Sequence, residues 1–221
     1  MALPPPEKRE PAPVTLTRRG RSHSLAVRTG GEGEPVAVHL DWDRPTREPG
    51  LLGFLQGLGG PPEVDLDLGC MYRLTTGRKG VVQALGGRLG ARAAPPFIAL
   101  DGDDRGGGEG ETLRLFRPEL IDLVVVFAMI YEGTETFARA GARVWVSGPE
   151  GAVLVPLDAP DPRNTFCAAL ALRYDGAALR VTREERYFYG HKECDERYGF
   201  GFRWVHGDEV TTRRQGGSKG S

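Results

Sequence analysis

Leu123 to Ile130 reads LVVVFAMI, eight consecutive apolar residues including three adjacent valines. Successive side chains on a strand point to opposite faces, so this run is apolar on both. Such a segment suits a central strand of a packed sheet. It falls well short of the roughly 20 residues that a membrane-spanning helix needs.

The rest of the chain keeps a strand rhythm, and helical periodicity is scarce. Strands are expected over Val14–Arg18 and Ser24–Thr29, joined by a turn at Gly20, and over Pro35–Trp42. Asp65–Leu74 alternates Leu66, Leu68, Cys70 and Tyr72 with polar or small residues, as a half-buried strand does. Gly80–Leu85 and Phe97–Leu100 are shorter candidates. Arg143–Val146 and Val153–Leu157 read as a hairpin. So do Thr165–Tyr174 and Ala177–Tyr189, around the favoured Asp175–Gly176 dipeptide. Phe200–His206 completes the set. Many short strands separated by Gly, Pro and Asp turns imply an all-β fold, an antiparallel β-sandwich of two packed sheets.

One domain is expected over residues 14–206, flanked by poorly ordered tails at 1–13, which is proline-rich, and 207–221. Residues 44–63 hold an apolar, glycine-rich insert, LLGFLQGLGG. A short helix packed on its own domain is the preferred reading, over a lip for a partner or membrane surface. Residues 88–96 read as a basic, proline-ended connector.

The formal net charge of −1 gives no bulk attraction to nucleic acid or acidic membrane. Three widely spaced cysteines argue against a disulfide scaffold and suit a reducing compartment. The amino-terminal stretch lacks the apolar core of a signal peptide. A cytoplasmic protein without a transmembrane segment is the expectation.

Chemistry concentrates at Asp101 to Glu111, DGDDRGGGEGE, with five carboxylates and five glycines. Taken alone this is either a solvated connector or a loop that closes on a hard cation, which takes six to eight oxygen ligands in the case of calcium. It is not the helix–loop–helix calcium motif. Arg105 fills a ligand position, Thr112 stands where a bidentate glutamate is required, and the flanks read as strand ends. Nor is it a phosphate cradle, because it lacks the Gly-Lys-Ser/Thr ending and is acidic. Upstream, Asp65 and Asp67 stand two apart and share one face of their strand. Asp41–Trp42–Asp43 closes an earlier one.

In order, the segments VTLTRRGRSHSLAV, LDWD, VDLDLGCMYRL, LDGDDRGGGEGE, DLVVVFAMIYEG, FARAGARVWV and ALALRYDGAALRV resemble the tellurium-resistance (TerD) family. The resemblance covers most of residues 14–181. It implies a β-sandwich that binds calcium through the Asp-Leu-Asp strand and the acidic loop. Matching motifs carry the ligand role to Asp65, Asp67, Asp103, Asp104, Glu109 and Glu111, with Asp43 as an addition. It further implies a non-enzymatic stress-response module that assembles with protein partners, some of them membrane-associated. The chain departs from the family in its short acidic tail (Gly110–Glu111–Thr112–Leu113), in Arg105, and in the insert around residues 51–59. These departures imply fewer calcium ions.

Other chemistries have weaker support. His191 and Cys194 lack the paired soft ligands of a zinc site. Arg183, Glu184, Glu185 and Arg186 read as a solvated strand edge. The aromatic carboxyl end, Tyr187 to Trp204, suits sheet packing better than a stacking surface. Two alternatives remain open: a β-sandwich hydrolase using paired carboxylates with structural calcium, and a carbohydrate-binding module.

Overall fold

The computed structural model describes residues 12–31, 33–43, 64–101, 110–159 and 165–205, together with the backbone of 209–211. In chain order the strands are β1 (Val14–Thr15), β2 (Ser22–Ala26), β3 (Val36–Asp41), β4 (Asp65–Leu74), β5 (Lys79–Gln83), β6 (Gly90–Ala91), β7 (Ile98–Leu100) and β8 (Glu111–Leu115). There follow β9 (Ile121–Glu132), β10 (Arg143–Gly148), β11 (Gly151–Pro156), β12 (Phe166–Tyr174), β13 (Ala178–Phe188), β14 (Arg203–Val205) and β15 (Glu209–Thr211). The helix α1 spans His191–Tyr198.

The run LVVVFAMI lies within β9, between β12 and β4 in a six-stranded sheet ordered β2-β13-β12-β9-β4-β5. A seven-stranded sheet, β1-β11-β10-β3-β8-β7-β6, packs against it. Pairing is antiparallel except between β1 and β11. Val124, Val126 and Ala128 of β9 enter the core between the sheets, with Leu66, Leu68, Val38, Leu113 and Val144. Leu123, Val125 and Phe127 face outward into a second apolar cluster with Phe166, Cys194 and Phe200. The molecule thus has a third layer over the six-stranded sheet: α1 and the aromatic segment that follows it.

That third layer is built on polar residues. His191, Cys194 and Asp195 are the buried residues of α1, at helical spacing. Asp195 is 2% exposed, and its carboxylate accepts from the amides of Gly201 (2.7 Å) and Phe202 (2.8 Å) and from Trp204 Nε1 (2.9 Å). His191 Nε2 meets Gln83 Oε1 at 2.8 Å, and its ring lies against Phe127, Phe166 and Trp204. The carboxyl-end aromatics Phe188, Tyr198, Phe200, Phe202 and Trp204 are packing groups, as their sequence suggests, whereas Tyr189 is exposed.

Two expectations need correction and one is refined. The two strands of residues 14–29 flank a turn at Gly20, as expected, but do not pair with each other. β1 joins β11 in one sheet and β2 joins β13 in the other, so the chain crosses between layers. Arg183 and Glu185 are not a solvated edge. They are 2% and 4% exposed because they continue the inward alternation of Leu179 and Val181 along β13. Arg183 also donates to Asp158 (2.7 Å) and to the Leu16 carbonyl (2.6 Å), and Glu185 Oε1 accepts from the Ala159 amide (2.7 Å). This buried pair therefore ties the β1–β2 crossing and the chain after β11 to β13. Finally, β14 pairs with β15 in a separate two-stranded sheet rather than extending the sandwich. The apolar insert at 44–63 lies outside the described residues. Among the described residues no helix is long and apolar enough to cross a membrane.

The third layer depends on Asp195. Asp195→Ala leaves three part-buried donors without their buried acceptor and is expected to cost about 2 kcal/mol. Urea unfolding followed by tryptophan fluorescence will measure it.

Candidate metal centre

Segments far apart in sequence meet at one end of the sandwich. The acidic loop is the hairpin connection between β7 and β8, which pair through Ile98↔Leu115 and Leu100↔Leu113. Its two roots are fixed. The Asp101 amide donates to the Thr112 carbonyl at 2.9 Å, and the Asp101 carboxylate pairs with Arg114 at 2.9 Å. On the other side Gly110 has a φ of +99° and sits under the His39 imidazole, where a Cβ would collide with the Leu40 carbonyl oxygen. Only glycine fits there without displacing β3. His39 is in turn held by Thr112 through Nδ1 at 2.9 Å.

β3 and β8 are neighbours, with Leu40 opposite Glu111. Each sends a hydrogen bond across the sandwich to the start of β4. Trp42 Nε1 donates to the Val64 carbonyl at 3.1 Å. Glu111 Oε2 accepts from the Leu68 amide at 2.5 Å. The second contact has a topological cause. β5 pairs with β4 only from Gly69 onward, so among the described residues the edge of β4 before Gly69 has no strand neighbour on that side. Leu68 would leave a buried donor there, and the Glu111 carboxylate stands in for the missing strand. Glu111 reaches it because it alternates with Leu113 and Leu115 and so points into the core.

Asp65 and Asp67 alternate with Leu66 and Leu68, which enter the inter-sheet core. The two carboxylates therefore project from the outer face of β4. Asp65 stands opposite Glu132 in the ladder with β9. Like charges directly opposite are unfavourable unless solvated or bridged. Asp43 lies across the same end. Arg143 bridges it (2.7 Å) and Asp41 (2.6 Å). The Asp43 hydrogen bond, with Asp41 beside it, raises the Arg143 pKa above its ordinary value despite burial. Gly141 turns beside Asp43 with a φ of +60°, a backbone conformation that favours glycine, and a Cβ there would push the Asp43 carboxylate aside.

No protein-family model matches the chain. Among curated proteins it is 34% identical over 202 residues to the tellurium resistance protein TerA of Alcaligenes sp., covering 89% of this chain. This similarity supports a tellurium-resistance, TerD-like family for the chain. It spans 58% of the length of that TerA relative. Two crystal structures are also similar. One is a protein of unknown function, SAV2460, with 17% identity and a TM-score of 0.47 over 77% of this chain and 98% of that one. The other is a homologue of the telluride resistance protein TerD, SCO6318 from Streptomyces coelicolor A3(2), with 18% identity and a TM-score of 0.45 over 74% of this chain and 95% of that one.

Of the residues that the family resemblance marks as ligands, Asp43, Asp65, Asp67 and Glu111 lie at this one end. Asp103, Asp104 and Glu109 lie outside the described residues. Sequence reasoning named Asp41 within Asp41–Trp42–Asp43 without giving it a role, and missed Glu132 and Arg143 at this end. Asp41 was legible, being two residues before Asp43. Glu132 and Arg143 join only through strand pairing. Among the described residues, no group of three or more His, Cys, Asp and Glu is placed to hold a metal by itself.

The cysteines offer no nucleophile. Burial raises all three thiols, Cys70 to about 12 and Cys167 and Cys194 well above the ordinary thiol value, so none is a thiolate near neutrality.

Gly110→Ala tests the loop root. The strained φ and the collision with β3 are expected to cost at least about 2 kcal/mol in urea unfolding.

Proposed function

We propose that the chain is a calcium-binding, non-enzymatic module in which calcium joins the acidic loop to the start of β4. The observation that supports this reading is the meeting of the loop root with the Asp-Leu-Asp strand, through Glu111 and the Leu68 amide. Asp65 and Asp67 supply hard carboxylate oxygens from one face of a rigid strand, and Glu132 adds negative charge opposite Asp65. Asp103, Asp104 and Glu109 would supply the oxygens that these strands do not. When bound, calcium neutralises this clustered charge. Asp43 is engaged with Arg143 and is better read as a flanking group than as a ligand.

In this reading the calcium-loaded end is a docking surface for protein partners in a stress-resistance assembly, with the chain acting in the cytoplasm. The chain's own residues bind and orient. The strand holds two carboxylates in fixed register, Trp42 and Glu111 lock the two sheets together beside them, and the glycine at 110 fixes the direction in which the loop leaves β8.

Anything that binds only the folded chain stabilises it by mass action, by about 2.7 kcal/mol at a hundredfold excess over Kd. Millimolar calcium is therefore expected to raise the melting temperature by several degrees, and Asp65→Asn with Asp67→Asn to abolish the rise. Scanning calorimetry with and without calcium will decide. An unchanged melting temperature, with no binding heat up to millimolar calcium, removes the reading.

A further inference from the structure

The family resemblance makes Glu111 a calcium ligand, yet its placement gives it different work. Its side chain points into the sandwich, is 9% exposed, and accepts the Leu68 amide at 2.5 Å. Asp65 and Asp67 project from the opposite face of β4. The β4 backbone therefore lies between Glu111 and the two strand carboxylates. We infer that Glu111 is a positioning residue, a latch between the two sheets that holds the root of the acidic loop in register with Asp65–Asp67 while its carboxylate stays off the ion.

The physical case is topological. β5 ends opposite Gly69, one residue before the Leu68 amide needs a partner. A buried amide must be paired, and a side-chain acceptor from the facing sheet is the replacement found here. The same side chain begins β8, whose preceding Gly110 sits against the Leu40 carbonyl. Tying Glu111 to β4 thus fixes the loop's exit relative to both sheets. Residues that orient ligands without touching the metal change affinity by about 10–100-fold when replaced.

This inference rests on the calcium reading for its consequence but not for its hydrogen bond, so two variants of the full chain separate the cases. Glu111→Gln keeps the reach and an acceptor oxygen but loses the charge. Glu111→Asp keeps the charge but is one methylene too short. Hydrogen exchange at the Leu68 amide reports the latch, and calorimetric titration with calcium chloride reports the site. The latch requires that Glu111→Gln keep Leu68 protection and calcium affinity within about threefold of the parent chain, while Glu111→Asp loses protection and weakens affinity by about tenfold at unchanged stoichiometry. A ligand role reverses the order, with Glu111→Gln losing affinity or an ion and Glu111→Asp retaining it. That result overturns the inference, as does unchanged Leu68 exchange in Glu111→Asp. If the parent chain takes up no calcium, the calcium reading and the positioning role fall together, and Leu68 exchange still decides whether the hydrogen bond exists.

Discussion

Burial of β9 on both faces is the constraint from which the architecture follows. One face is covered by the seven-stranded sheet, as in any sandwich. The other needs its own cover, and the chain supplies α1 and the Phe200–Trp204 segment. That cover is held by a buried carboxylate and a buried imidazole, Asp195 and His191, each paired with protein donors or acceptors. Buried polar groups that are satisfied in this way specify one arrangement of a layer that apolar contacts alone would leave loose. The Arg183–Glu185 pair does the same where the chain crosses between sheets.

The candidate metal centre depends on the same sandwich but on its incomplete edge. β4 outruns β5, and among the described residues its free edge is met by side chains of the facing sheet rather than by another strand. Trp42 and Glu111 bring the ends of β3, β4 and β8 together, and negative charge accumulates where they meet. Arg143 offsets part of it by holding Asp41 and Asp43. Asp65, Asp67 and Glu132 stand beside the root of an acidic loop, where the proposed calcium would bind.

Much of the fold was legible in the sequence because its signals are local. LVVVFAMI is apolar in both registers and became the strand between β4 and β12. Asp175 caps the β12–β13 turn with its own carboxylate, bonding the Ala177 and Ala178 amides. The failures have physical reasons. HKECDERY carries no apolar stripe, since the groups that α1 buries are His191, Cys194 and Asp195, so helical periodicity in hydrophobicity was absent. Arg183 and Glu185 kept the inward period of β13, but their charge masked it. The crossing from β1 to β2 left no trace, because partners 139 residues apart decide it. At the candidate site Asp65 and Asp67 were visible from their spacing. The inward turn of Glu111 and the arrival of Glu132 and Arg143 follow from strand register, which a single sequence does not display.

The most direct test of the account is the calcium anomalous signal from crystals of the full chain grown in calcium chloride. The account requires a peak with oxygens of Asp65 and Asp67 at about 2.3–2.6 Å, completed by donors from residues 102–109. No peak at the start of β4, or a peak held by Asp41 and Asp43 with Asp65 and Asp67 uninvolved, would contradict it.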